Sequence, residues 1–136
     1  MAYVRDSFNR FRTESLEAAA AVDASTYDYV GRYNGVTAAK CGASEVPQFI
    51  FLDSITSAEI LDGKKVPVAF LGSGQVSVKV FGNVSAGQKL APDSSGHIVA
   101  SGTAADAALG TYDFAIALES GSDGDEILID VLRWAQ

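Results

Sequence analysis

The chain has 136 residues, 48% of them hydrophobic and 20% charged, the length and composition of one globular domain able to bury a core of its own. A single cysteine, Cys41, and a single histidine, His97, exclude disulfide frameworks and Cys/His zinc sites, and no apolar run reaches the roughly eighteen residues of a membrane-spanning helix. The net charge of −7 lies wholly in the last third, where residues 91–136 set Arg133 alone against eight acidic side chains, a distribution that repels nucleic-acid backbones.

Met1 to Asp6 lacks the basic-then-apolar layout of a signal peptide, so the expectation is a soluble protein made in the cytoplasm, with no membrane and no nucleic-acid partner. Residues 1–35 read as an N-terminal arm. Asp6 or Ser7 can cap a short helix running toward Ala21, with Phe8, Phe11, Ser15, Ala18 and Val22 on one stripe. Two large side chains on that stripe bury little, so the arm is expected to be partly helical or extended and to order on a partner. Tyr27, Tyr29 and Tyr33 then alternate as in a short strand before Asn34 and Gly35 turn the chain.

Residues 36–136 read as the β domain, because glycine turns separate short β-like runs and no helical period persists. The predicted class is all-β, a small compact β-barrel or β-sandwich-like domain preceded by the arm or short helix. Phe49–Leu52 is continuously apolar, as in a strand covered on both faces, and Val66–Leu71 carries its proline near the start, where a strand tolerates it. In Gln75–Val80, Val76, Val78 and Val80 alternate with polar residues and point to a core. Ser101–Gly110 is a small-residue excursion. Phe114, Ile116 and Leu118 alternate with Ala115, Ala117 and Glu119, and the last strand sets Ile127, Ile129 and Val131 on one face. Leu128, Leu132 and Trp134 extend apolar surface to the chain end, where a monomer would show a polar edge, so they are expected at a subunit interface.

Candidate chemistry is thin. Asp123, Asp125 and Glu126 form an acidic turn whose spacing does not match an EF-hand, and the reading is a solvated turn. Gly72-Ser73-Gly74 is too short to cradle a phosphate, and no Gly-x-Ser-x-Gly elbow is present. His97 reads as an exposed turn histidine and Cys41 as a small buried hydrophobe. No catalytic, cofactor or metal site is expected, and the chain is not expected to be an enzyme. Arg5, Arg10 and Arg12 interleave with Tyr3, Phe8 and Phe11 in a basic-aromatic cluster, and such side chains anchor protein interfaces.

Three pieces in order, Val84–Leu90, Asp93–Val99, and Phe114–Ser120 followed by Gly124–Arg133, resemble the tailed-bacteriophage head decoration, or capsid cement, proteins. The likeness covers about half the chain and finds no counterpart in the first forty-five residues. It implies a structural virion protein on the outer surface of a phage capsid, bound to the major capsid protein, stabilising the shell and associating as a homotrimer or other homo-oligomer. The interface anchors would then be Tyr3, Arg5, Phe8, Phe11 and Arg12. The alternatives are a phage tail component, or a biotinyl/lipoyl-like carrier or ligand-binding β domain of a cellular complex, since Val80–Leu90 has a carrier-like cadence and Lys64 and Lys65 follow a turn.

Overall fold

The computed structural model describes residues 11–101 and 112–135. Among these, the N-terminal half supplies strands β1 (Thr13–Leu16), β2 (Val30–Asn34), β3 (Thr37–Lys40), β4 (Phe49–Phe51) and β5 (Val66–Phe70), with a short helix α1 (Ser57–Leu61) between the last two. The C-terminal half supplies β6 (Gly74–Lys79), β7 (Lys89–Pro92), β8 (Ile98–Ala100), β9 (Ala115–Ala117) and β10 (Glu126–Val131). Each half makes its own five-stranded antiparallel sheet, in the orders β1-β5-β4-β2-β3 and β6-β10-β9-β7-β8. The all-β, sandwich-like class expected from the sequence is the one observed.

Two apolar clusters explain why Phe49–Leu52 has no polar member. On one face of the first sheet, Phe49 and Phe51 of β4 and Val66 and Val68 of β5 meet Ala18, Val22, Ala38 and Ile55. On the other face, Val30, Cys41, Ile50 and Ala69 pack with Val76, Val78, Leu90, Ile98, Phe114, Ile127, Ile129 and Val131 from the second half. Strand β4 of the first sheet is therefore buried on both sides, while β6 of the second alternates, with Val76, Val78 and Val80 inward and Ser77 and Lys79 half-buried.

The first sheet also closes on itself. Just after edge strand β1, Ala18 bridges Ala38 of the opposite edge strand β3, with Ala19 N donating to Ala38 O at 2.8 Å and Ala38 N to Glu17 O at 2.7 Å. Gly31 of β2 faces the crowded interior that results: a Cβ there would lie 2.5 Å from the Ala39 carbonyl oxygen, 2.6 Å from Phe51 Cε2 and 2.8 Å from Phe49 Cε1. A single bond between Phe81 N and Ile98 O, 2.9 Å, likewise joins the ends of β6 and β8 in the second sheet.

Several expectations are corrected. The boundary at residue 35 falls inside the β2–β3 hairpin, whose turn uses Gly35 at φ 70°, so residues 11–35 belong to the folded body. Among the described residues no helix runs toward Ala21: Thr13–Leu16 is a strand whose side chains are largely exposed and whose identity comes from backbone pairing to β5, while Phe11, Ala18 and Val22 are buried one at a time. In β9 the two alanines are buried and Leu118 beyond it is 39% exposed; the larger core side chains on this part of the sheet, Leu90, Ile127, Ile129 and Val131, come from the flanking strands β7 and β10. Residues 1–10 and residues 102–111 of the small-residue excursion lie outside the described residues.

His97 is not an exposed turn residue. Its side chain is 13% exposed, its Nδ1 lies 2.8 Å from Asp93 Oδ2, and its ring stacks on Phe81 at 4.3 Å with Tyr27 and Tyr29 each at 5.0 Å. Asp93 also accepts bonds from Ser95 N at 2.8 Å and His97 N at 3.0 Å. Burial pushes its acidity constant up, but these bonds outweigh it and hold the carboxyl below its ordinary 3.8. A depressed carboxylate contributes stability above its unfolded value that is lost as pH falls through the folded one. Asp93→Asn is therefore expected to lower stability by about 1–2 kcal/mol at neutral pH and to narrow its gap to wild type below about pH 4. Urea midpoints from pH 7 down to pH 3 check this, and a constant gap would contradict it.

Candidate interaction surface

The first and last described segments of the chain meet beside the first sheet, where Arg12, Trp134 and Ala135 line one groove with Tyr33 and Phe70. Tyr33 of β2 is 38% exposed, and its backbone N donates to Gln48 Oε1 at 2.7 Å. Its ring stands edge-on to Phe49 at 5.8 Å and beside Phe70 of β5 at 6.3 Å, and Phe49 and Phe70 meet at 5.6 Å. The Arg12 guanidinium lies 4.3 Å above the Phe70 ring and 3.5 Å from Glu14, with two-thirds of its side chain exposed at 68%. The C-terminal residues cross the same region: Leu132 N and Arg133 N donate to Phe114 O, Ala135 N donates to Pro47 O at 2.9 Å, and Trp134 packs against the core. Between them runs an open groove of about 320 Å³ lined by Arg12, Tyr33, Gln48, Phe70 and Trp134.

This surface sorts the expected anchors. Tyr3, Arg5 and Phe8 lie outside the described residues. Phe11, expected as a partner anchor, is instead 8% exposed and part of the core, because its ring closes the apolar contact between the halves. Trimming the arm through residue 12 would thus remove a core side chain along with any attachment. Arg12 and Trp134, read from the sequence as belonging to different interfaces, line one groove. Leu132 is 45% exposed, whereas Leu128 on β10 is half-buried and its N donates to Glu119 Oε2 at 2.9 Å. Tyr33 and Phe70 were not singled out as site residues. In the sequence Tyr33 shows only a strand-like alternation, and Phe70 sits inside the strand-like run Val66–Leu71.

The other chemistry-bearing side chains serve the fold. Asp123 accepts Gly82 N at 2.7 Å and the Tyr27 hydroxyl at 3.0 Å, and Asp125 accepts Ser122 N at 2.8 Å, so the acidic turn is a tie between segments. Burial pushes the Cys41 thiol up to about 12, which leaves it protonated and unreactive. Lys89 and Asp113 form a buried pair at 4.0 Å, and Asp113 also takes the Ser101 hydroxyl. Lys64 does not stand on a hairpin tip; it follows α1 and lies 3.4 Å from Glu59, the capping-box residue of that helix.

No family model matches the sequence, and no curated protein matches it. Among solved structures, the chain is similar to the base described as head fiber gp8.5 N base in bacteriophage phi29, with a TM-score of 0.65 and 12% identity over 93% of this chain and 98% of that one. At that identity the likeness is one of fold.

Proposed function

We propose that this chain is a structural protein of a phage virion, carried on the outside of the head, where it binds the major capsid protein and stabilises the shell. The observation that supports this most is the fold likeness to a head fiber base, in which the match spans 93% of this chain and 98% of that one. The half-chain resemblance to head decoration proteins points the same way. The reading assigns the chain no reaction, and attachment falls to the groove of Arg12, Tyr33, Phe70 and Trp134, whose residue types dominate the energetics of protein interfaces. A copy bound across neighbouring capsid subunits stabilises only the shell state it fits, by linkage. Association as a homotrimer at a three-fold position would let each copy offer the same groove to an equivalent site.

Incubating the purified chain with particles from a strain lacking its gene tests the reading. Co-sedimentation that saturates at a fixed ratio to capsid protein, with slower release of packaged DNA on heating, is the expected result. Failure to bind heads, or binding to isolated tails instead, overturns it.

A further inference from the structure

A second open cleft, of about 470 Å³, lies at the other end of β2 from Tyr33 and is bounded by the segment before β2, the end of β3 and the approach to α1. Its floor is apolar and rigid. Val22 and Ile55 are 4% and 3% exposed and are locked to each other, Val22 N donating to Ile55 O at 2.9 Å and Ile55 N to Val22 O at 2.8 Å. Around that floor stand Asp23, Tyr29, Lys40 and Ser57.

These rim groups are oriented but have hydrogen-bonding capacity to spare. Asp23 takes Ser25 N at 3.1 Å, Ser25 Oγ at 2.5 Å and Ser54 Oγ at 3.3 Å, all on Oδ1, so Oδ2 accepts no hydrogen bond among the described residues. The Ser25 hydroxyl is the main influence holding the Asp23 carboxyl below its ordinary range, so it is an acceptor at neutral pH. The Tyr29 ring is fixed between His97 at 5.0 Å and the Lys40 ammonium at 4.4 Å. Neither the Tyr29 and Ser57 hydroxyls nor the Lys40 ammonium makes a hydrogen bond or ion pair among the described residues.

We propose that this cleft binds a saccharide, as a monosaccharide or the terminal unit of a glycan. A pyranose has an apolar C–H face, which fits the apolar part of the lining, where exposed Ala21 stands beside Val22 and Ile55, and an edge of hydroxyls, each of which donates and accepts. The rim supplies both partners: Asp23 accepts, Lys40 donates, and Tyr29 and Ser57 do either. One carboxylate against one ammonium leaves the cleft without net charge, which disfavours a strongly anionic or cationic ligand. The volume lies in the ordinary range for small-molecule sites, and its open side admits a ligand that continues as a chain. The inference stands apart from attachment to a capsid, since it uses none of the groove residues.

Saturation-transfer NMR on the full chain with glucose, galactose, N-acetylglucosamine and N-acetylgalactosamine, and with glycine as a zwitterionic control, tests it. Transfer to at least one sugar is expected, with a Kd of about 1–10 mM. Tyr29→Phe, which keeps the ring, and Lys40→Met, which keeps the stem, should each weaken that binding about tenfold with an unchanged melting temperature. No transfer to any of the four sugars at about 10 mM overturns the proposal. So does sugar binding that both variants leave intact, or glycine competing for the same residues more tightly than any sugar.

Discussion

Gly31→Ala is expected to lower the stability of the chain by about 3 kcal/mol or more, enough to populate unfolded molecules near physiological temperature. The position has no room to relax. The added methyl would sit 2.5 Å from the Ala39 carbonyl oxygen, which is backbone of the neighbouring strand, and under 3.0 Å from both Phe49 and Phe51. Those rings are themselves fully buried and pack edge-on to each other at 5.4 Å with their planes at 90°, so moving one displaces the other. Gly35→Ala, three residues beyond β2's centre in the open turn, meets no atom within 4 Å and carries only the cost of its positive φ, expected to be about 1 kcal/mol. Urea denaturation of the two variants side by side separates packing from backbone conformation. Equal losses, or a Gly31 variant as stable as wild type, would show that the first sheet is looser than its contacts imply.

Replacing Arg12 and Tyr33 by alanine is expected to weaken attachment to undecorated heads by about 2 kcal/mol each, close to thirtyfold, with little change in melting temperature. Both side chains are substantially exposed, so their truncation leaves the two apolar clusters intact. Arg12 combines a cation with a planar surface already stacked on Phe70, and Tyr33 presents a ring edge held by Phe49, so each is pre-oriented and loses little freedom on binding. Leu61 on α1 is 88% exposed and lies outside the groove, which makes Leu61→Ser a control for loss of generic apolar surface. Quantitative co-sedimentation at several salt concentrations reads the effect. Should Leu61→Ser cost as much, or the groove variants cost nothing, attachment belongs to another surface.

The sequence showed its strands where one side chain in two was buried or where all were. Val76, Val78 and Val80 stand out by alternation, and Phe49–Leu52 by having no polar member, and both readings hold because burial leaves its period in the residues themselves. Thr13–Leu16 left no such trace. All but Leu16 of its side chains are exposed, and what makes it a strand is the row of backbone bonds it offers β5, which polar residues make as well as apolar ones. The same reason hid the end of the arm, because a strand invisible in the sequence made the chain before Val36 look unanchored. The groove was half legible. Arg12 and Trp134 are marked by type, but they lie 122 positions apart in the sequence, and only the folded chain brings them together in the groove beside Tyr33 and Phe70. His97 was misread because its partners, Tyr27, Tyr29 and Phe81, come from separate segments, while Asp93 four residues earlier was the one local signal.

Closure of the first sheet carries a consequence for life at high copy number. A surface coated with one small β protein concentrates it far beyond its value in solution, the condition under which open strand edges recruit one another into fibres. Here the backbone groups of Ala38 that such recruitment would use are already taken by Glu17 and Ala19 of the same chain. Neighbours that meet at this edge of the first sheet are then left to hold one another through side chains. Contacts of that kind form and release reversibly, respond to salt, and can be redrawn by single substitutions without endangering the fold.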